Sequence, residues 1–98
     1  MTKEQVLLKI KEYTPFQQAV WRACMAIPAG QTRSYKWIAE KIGKPGAVRA
    51  VGSALGKNPF APVVPCHRVI KSDGTMGGFS APGGVNAKIK LLKKEKAL

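Results

Sequence analysis

Cys66 and His67 are neighbours in Pro62-Val63-Val64-Pro65-Cys66-His67-Arg68-Val69-Ile70, and His67 is the only histidine in 98 residues. A cysteine attacks as its thiolate, and an unperturbed thiol of pKa about 8.5 is only a few per cent ionised at pH 7. Lowering that pKa by two units takes about 2.7 kcal/mol of differential stabilisation. Arg68, a helix N-terminus and the histidine itself are the available sources. The segment is punctuated by proline and reads as extended, and consecutive side chains of an extended segment point to opposite sides. Thiol and imidazole therefore need a backbone turn or a bridging water to communicate. A bare Cys-His pair is also compatible with a small buried hydrophobe beside a structural histidine, so the surroundings must decide.

What is missing narrows the chemistry. Cys24 and Cys66 form no CxxC pair, and with one histidine they fall short of the four ligands of a structural zinc site. No metal is expected, and a disulfide between the two cysteines stays open. A cysteine protease draws its histidine from a distant part of the chain, and there is no second histidine here. No phosphate loop or cofactor motif occurs, so no cofactor is expected. The polar start Met1-Thr2-Lys3-Glu4-Gln5 and the lack of an 18-residue apolar run point to neither secretion nor membrane insertion. A reducing interior is expected, cytoplasmic, or nuclear in a eukaryote.

The net charge of +12 arises from 17 basic against 5 acidic side chains. Between Tyr13 and Lys71 the only acid is Glu40, against Arg22, Arg33, Lys36, Lys41, Lys44, Arg49, Lys57, Arg68 and Lys71. Such a surface suits a polyanion, DNA first, with RNA or acidic lipid also compatible. If about six of these residues met phosphates, log K would fall with log salt at a slope near about −5.

Five helices are expected to position these groups. Thr2-x-x-Gln5 is a capping box opening an amphipathic N-terminal arm over residues 1–13, with Val6, Leu7 and Ile10 on one side. Thr14-Pro15-Phe16-Gln17 opens a second helix carrying Phe16, Val20, Ala23, Cys24 and Ile27, closed by Pro28-Ala29-Gly30. Ser34 caps a third, ending near Ile42-Gly43, with Ile38, Ala39 and Ile42 inward. A fourth runs from Ala47 to about Gly56, with Val48, Val51 and Leu55 as its buried stripe and Arg49 and Ser53 on another face. Gly46, Ala47, Ala50, Gly52, Ser53, Ala54 and Gly56 leave that helix little bulk, so another surface can approach it closely. Two helices about a Gly/Pro turn make a helix-turn-helix pattern, or an ordinary helical hairpin. Arg68 to Lys71 suits a strand, Ser72-Asp73-Gly74-Thr75 a turn back toward Met76, and Asn86 can cap a last helix from Ala87 to Lys96 with Ile89, Leu91 and Leu92 apolar. The expected architecture is mainly α with a short hairpin: one compact helical domain, residues 1–98, containing a helix-turn-helix.

Pro65-Cys66-His67-Arg68-Val69 resembles the active-site signature of the O6-alkylguanine-DNA alkyltransferases, or methylated-DNA-protein-cysteine methyltransferases. The likeness extends through Ser34-Tyr35, Ala50-Val51-Gly52, Gly56-Lys57-Asn58-Pro59, Gly78-Phe79-Ser80 and Lys88-x-x-Leu91-Leu92-x-x-Glu95. The resemblance implies an isolated DNA-binding and active-site domain, without the separate N-terminal domain of many members. It implies that Cys66 accepts an alkyl group from guanine O6 in one in-line step. His67 would deprotonate Cys66 through a water, Glu95 would polarise His67, Tyr35 would donate a proton toward guanine N3, and Asn58 would hold the Cys66 turn. Arg49 would fill the space of a flipped base, with Ser34, Tyr35, Ala47, Ala50, Gly52 and Ser53 against DNA. Leu55, Pro65, Val69, Phe79 and Ser80 would line the base pocket. The implied partner is double-stranded DNA containing O6-alkylguanine, met through the minor groove by a monomer. Phe79 stands where tyrosine is frequent, and Trp37 where polar residues are. Two rival expectations remain: an alkyltransferase-like protein that binds the lesion and flags it without transfer, its cysteine typically replaced, and a plain basic DNA-binding module.

Overall fold

Side-chain caps start most of the helices. The structure is a computed structural model and describes residues 2–61, 63–72 and 84–97. Helix α1, Lys3–Lys9, opens on Thr2, whose hydroxyl accepts from the Gln5 amide while Gln5 Oε1 accepts from the Thr2 amide; a 3-10 turn, Ile10–Glu12, prolongs it. Helix α2, Pro15–Met25, repeats the device with Thr14 and Gln17, and places Pro15 where a missing N–H costs no helical bond. Each cap satisfies donors that a helix end leaves orphaned, worth about 0.5–2 kcal/mol. Both boxes are those expected from the sequence. Helix α2 closes at Met25 rather than at Pro28.

A cluster of buried side chains runs from Val6 and Ile10 through Val20, Ala23, Cys24 and Ile27 to Val64 and Val69. Trp21 joins it although the periodic stripe omits it. Its indole Nε1 donates to the Ala54 carbonyl at 2.9 Å, and its ring meets Tyr13 and Phe60 edge to face at 4.9 and 5.8 Å. That bond gives a buried donor its partner and ties α2 to the helix containing Ala54.

Strand β1, Arg33–Ser34, leads straight into helix α3, Tyr35–Lys41, because the Ser34 hydroxyl accepts from the Trp37 amide at 2.9 Å and caps it. Gly43, at φ +76°, ends α3: its amide bonds Glu40 O and the Lys44 amide bonds Ala39 O, the paired bonds of a Schellman closure. Helix α4, Val48–Gly56, follows and packs against α2 and α3. Its buried stripe is Val51, Ala54 and Leu55. Val48, expected inside, is exposed because it sits in the first turn, off the edge of the core.

The Cys66–Arg68 segment is a 3-10 turn, not an extended run. Strand β2, Val69–Ile70, follows it and pairs in parallel with β1, Arg33 opposite Val69 and Ser34 opposite Ile70. Among the described residues β2 pairs with a strand from upstream of α3; the turn and return expected after Ser72 to make a hairpin lie outside the described residues. Helix α5, Gly84–Lys94, begins two residues before Asn86, which sits inside its first turn; Gly84 takes φ +55° and turns the chain into the helix early. Its buried residues are Lys88 and Leu92, while Ile89 and Leu91 are only half-buried.

Gly30, after α2, lies close to the backbone just past α5. It takes φ +87°, and a Cβ there would lie 3.2 Å from the Glu95 carbonyl oxygen. Gly30→Ala is expected to lose about 1–2 kcal/mol through left-handed strain alone. Urea unfolding of the variant beside the parent checks this.

Candidate active site

Pro65 sets the turn that carries Cys66. At φ −82° and ψ 64° it forms an inverse γ-turn, and the Cys66 amide bonds the Val64 carbonyl at 2.8 Å. Asn58 braces the same loop: its amide donates to Val64 O at 2.9 Å and its carbonyl accepts from the Phe60 amide at 2.8 Å. Cys66 is half-buried and Cys24 fully buried, and both are free thiols. The chain therefore turns at Cys66 instead of running extended past His67.

His67 is buried, with Nε2 2.9 Å from Glu95 Oε1. A carboxylate only accepts, so the imidazole proton sits on Nε2 and leaves Nδ1 as the free base. Arg68 grips the same carboxylate from Nε at 3.0 Å and Nη2 at 2.5 Å, and its Nη1 donates to the Ile27 carbonyl at 2.8 Å. This fork holds Glu95 well below the usual carboxylate range, at about 2. Burial pushes His67 below its ordinary value, outweighing the pull of Glu95, so at pH 7 it is neutral and able to accept a proton.

Burial pushes the Cys66 thiol up, against the lowering effects of the Asn58 hydrogen bond, the Lys88 charge and the local amides. Arg68, a candidate activator from sequence, is spent on Glu95 and Ile27 instead. At pH 7 Cys66 is therefore a thiol. Burial also raises Tyr35, which keeps its phenolic proton at pH 7. Parallel pairing of β1 with β2 is what brings Tyr35, at the start of α3, alongside the residues following Cys66. An open cavity of about 290 Å³ lies there, lined by Tyr35, Val48, Gly52, Lys71 and Ser72. Its size is at the lower end of small-molecule sites, about 300–1,000 Å³.

The family model for the 6-O-methylguanine DNA methyltransferase DNA-binding domain matches residues 15–97. The chain belongs to this family. It is 56% identical over 84 residues to the methylated-DNA–protein-cysteine methyltransferase of Mycobacterium tuberculosis, covering 86% of this chain and 50% of that protein. It is 55% identical over 82 residues to the regulatory protein ada of Salmonella typhimurium, covering 84% of this chain and 23% of that one. The chain thus spans about half the length of the curated methyltransferases it matches. Among solved structures it resembles M. tuberculosis OGT in complex with DNA, with TM-score 0.82 and 55% identity over 87% of this chain and 52% of that one. It also resembles S. pombe Atl1 in complex with damaged DNA containing O6-carboxymethylguanine, with TM-score 0.73 and 34% identity over 82% and 74%.

In this methyltransferase-family domain Cys66, His67, Glu95 and Asn58 gather about one turn, with Tyr35 across the β1–β2 pair. Arg49, Ala50 and Ser53 stand exposed on α4, with Gly52 half-exposed; Ala47 immediately precedes the helix, and the Ser34 hydroxyl is occupied as a cap. Leu55, Pro65 and Val69 are buried, and the described cavity is lined by other residues. Phe79 and Ser80 lie outside the described residues. Sequence reasoning missed Val48, Lys71 and Ser72 at the cavity, since the register that puts 71 beside 35 leaves no local trace. It also missed the burial of Lys88, hidden in a lysine run whose other members face solvent. Among the described residues no cluster of histidine, cysteine and carboxylate side chains could hold a metal ion.

The Glu95 pairing is sensitive to acid. Because its folded pKa, about 2, lies below its ordinary value, its stabilisation is full above about pH 4.5 and drains away as pH falls toward 2. Glu95→Gln is expected to cost about 1–3 kcal/mol at pH 7 and to flatten the acid limb of the stability curve. Urea titrations between pH 2 and 7 read both effects.

Proposed function

We propose that the chain takes an alkyl group from O6 of guanine in double-stranded DNA and keeps it on Cys66. One observation carries the reading: a free, half-buried thiol in a tight turn, whose next residue is a neutral histidine held by a carboxylate. The Cys66 proton passes to His67 through a water, and Glu95 steadies the imidazolium. The thiolate attacks the alkyl carbon in line, so that S–C forms as C–O6 breaks and the electron pair returns to the guanine. Tyr35 gives its proton to N3 of the departing base, and the proton held by His67 returns through solvent to the tyrosinate. No oxidant or cofactor enters this balance. The thioether has no route back to a thiol, so each molecule acts once.

Reaction at O6 requires the base to leave the stack, at a few kcal/mol of unpairing and unstacking. In this reading α3 and α4 form a helix-turn-helix that enters the minor groove. The small exposed residues Ala50, Gly52 and Ser53 let α4 approach closely, Arg49 fills the vacated space, and the cavity beside Tyr35 receives the extruded nucleotide. The exposed Lys36, Lys41, Lys44, Lys57 and Lys71 supply phosphate contacts. The names of the relatives, and the DNA present in the M. tuberculosis OGT structure, support this assignment.

A second reading, lesion binding without transfer, is favoured by the likeness to Atl1 with damaged DNA, of which the chain covers a larger share than of OGT. Cys66 itself favours transfer. Intact mass after incubation with an oligonucleotide bearing O6-methylguanine separates the two. The expected outcome is one added methyl per chain, absent in a Cys66→Ala variant that still binds the lesion. Binding without mass gain in the parent supports lesion recognition alone, and repeated turnover would refute the mechanism.

A further inference from the structure

Trp37 is the tryptophan of this chain that solvent reaches: Trp21 is fully buried, whereas Trp37, on α3, is half-buried. Two cations are drawn to its ring. Arg33, from β1, holds its guanidinium carbon 5.5 Å from the ring centre, and Lys41, at the end of α3, holds Nζ at 5.9 Å. Both lie within the reach of cation–π attraction, about 6 Å. Arg33 is ordered further, since Nη1 donates to the Thr32 carbonyl at 2.8 Å and Nη2 to Gln31 Oε1 at 2.7 Å. These acceptors are neutral and leave the charge in place. The ion pairs among the described residues are His67–Glu95 and Arg68–Glu95, and Glu40, the acid of α3, joins neither cation. Two like charges held beside one ring repel each other, and an anion set between them reverses that cost.

We propose that Arg33, Trp37 and Lys41 form an anchor for the phosphate backbone of duplex DNA, outside the groove that α4 enters. The inference rests on the reading of α3 and α4 as a DNA-binding pair, and not on transfer to Cys66. In helix-turn-helix docking the first helix of the pair crosses the backbone while the second lies in the groove. Here α3 packs against α4. Cations lying over the ring occupy the surface that a stacked base would need, so phosphate rather than base is the group recognised. Phosphate carries no sequence information, so the anchor serves damaged and undamaged duplex alike. Because the ring and the neutral acceptors already hold these side chains, binding costs them less rotamer freedom than it costs a free surface lysine.

Two measurements with an undamaged duplex oligonucleotide test this. In the parent protein, quenching of indole emission by acrylamide is expected to be lost as duplex saturates the chain, because the ring that solvent reaches is the one covered. Trp37→Phe assigns the signal, and quenching that persists at saturation overturns the proposal. In Arg33→Gln with Lys41→Gln, the slope of log K against log salt is expected to become shallower by about 1.8, the loss of about two phosphate contacts. Circular dichroism verifies the fold; if the variant does not fold, the quenching measurement in the parent decides. The same charge removed from exposed positions of α1, in Lys3→Gln with Lys9→Gln, is expected to leave the slope nearly unchanged. An equal change at both places overturns the proposal, since net charge alone then accounts for it. Protection of Trp37 in a chain that takes no methyl from O6-methylguanine would overturn the transfer reading alone; methyl transfer with Trp37 still open to acrylamide would overturn this inference alone.

Discussion

One carboxylate holds this arrangement together. Glu95 accepts from His67 and doubly from Arg68, while Arg68 reaches on to the Ile27 carbonyl beyond the end of α2. The end of α5, the turn at Cys66 and the loop after α2 are thereby joined through a single two-point ion pair. A fork of this kind specifies angle as well as distance. Glu95 also fixes the tautomer of His67, so a structural clamp and the disposition of a proton acceptor are one set of bonds. Gly30 belongs to the same constraint, since its missing side chain lets the Glu95 backbone come close.

The positive charge of the chain is divided between two tasks. Most of it lies on exposed side chains, where hydration costs little and polyanions can be met. Two cations are withdrawn from that surface. Arg68 is used to order Glu95, and Lys88 is buried against a backbone carbonyl near Cys66. Net charge therefore describes the surface, and the internal electrostatics depend on which cations were taken inside.

Cys66 and His67 are both neutral at rest. Burial raises the Cys66 thiol and lowers the His67 imidazole, so neither carries a charge at pH 7. Asn58, the local amides and Lys88 all favour the thiolate once it forms. The cavity beside Tyr35 is open to solvent, and its walls come from α3, α4 and the residues just after β2.

Local chemistry made much of this legible in advance. Thr2, Thr14 and Ser34 announced helix starts because a hydroxyl cap acts within three residues, and Gly43 announced a helix end because it takes a positive φ. The motifs about Cys66 named a family through residue identity alone. The sequence did not determine the parallel pairing of β1 with β2, the 3-10 turn at Cys66, the exposure of Val48, or the burial of Lys88 within a lysine run. Each of these depends on partners many residues away: Arg33 for Val69, the Val69 carbonyl for Lys88, Glu95 for the residues after Cys66. Caps and turns are settled by short-range hydrogen bonds that a linear pattern records. Register, burial of charge and the walls of a cavity are settled by which distant surfaces meet, and only the folded chain decides that.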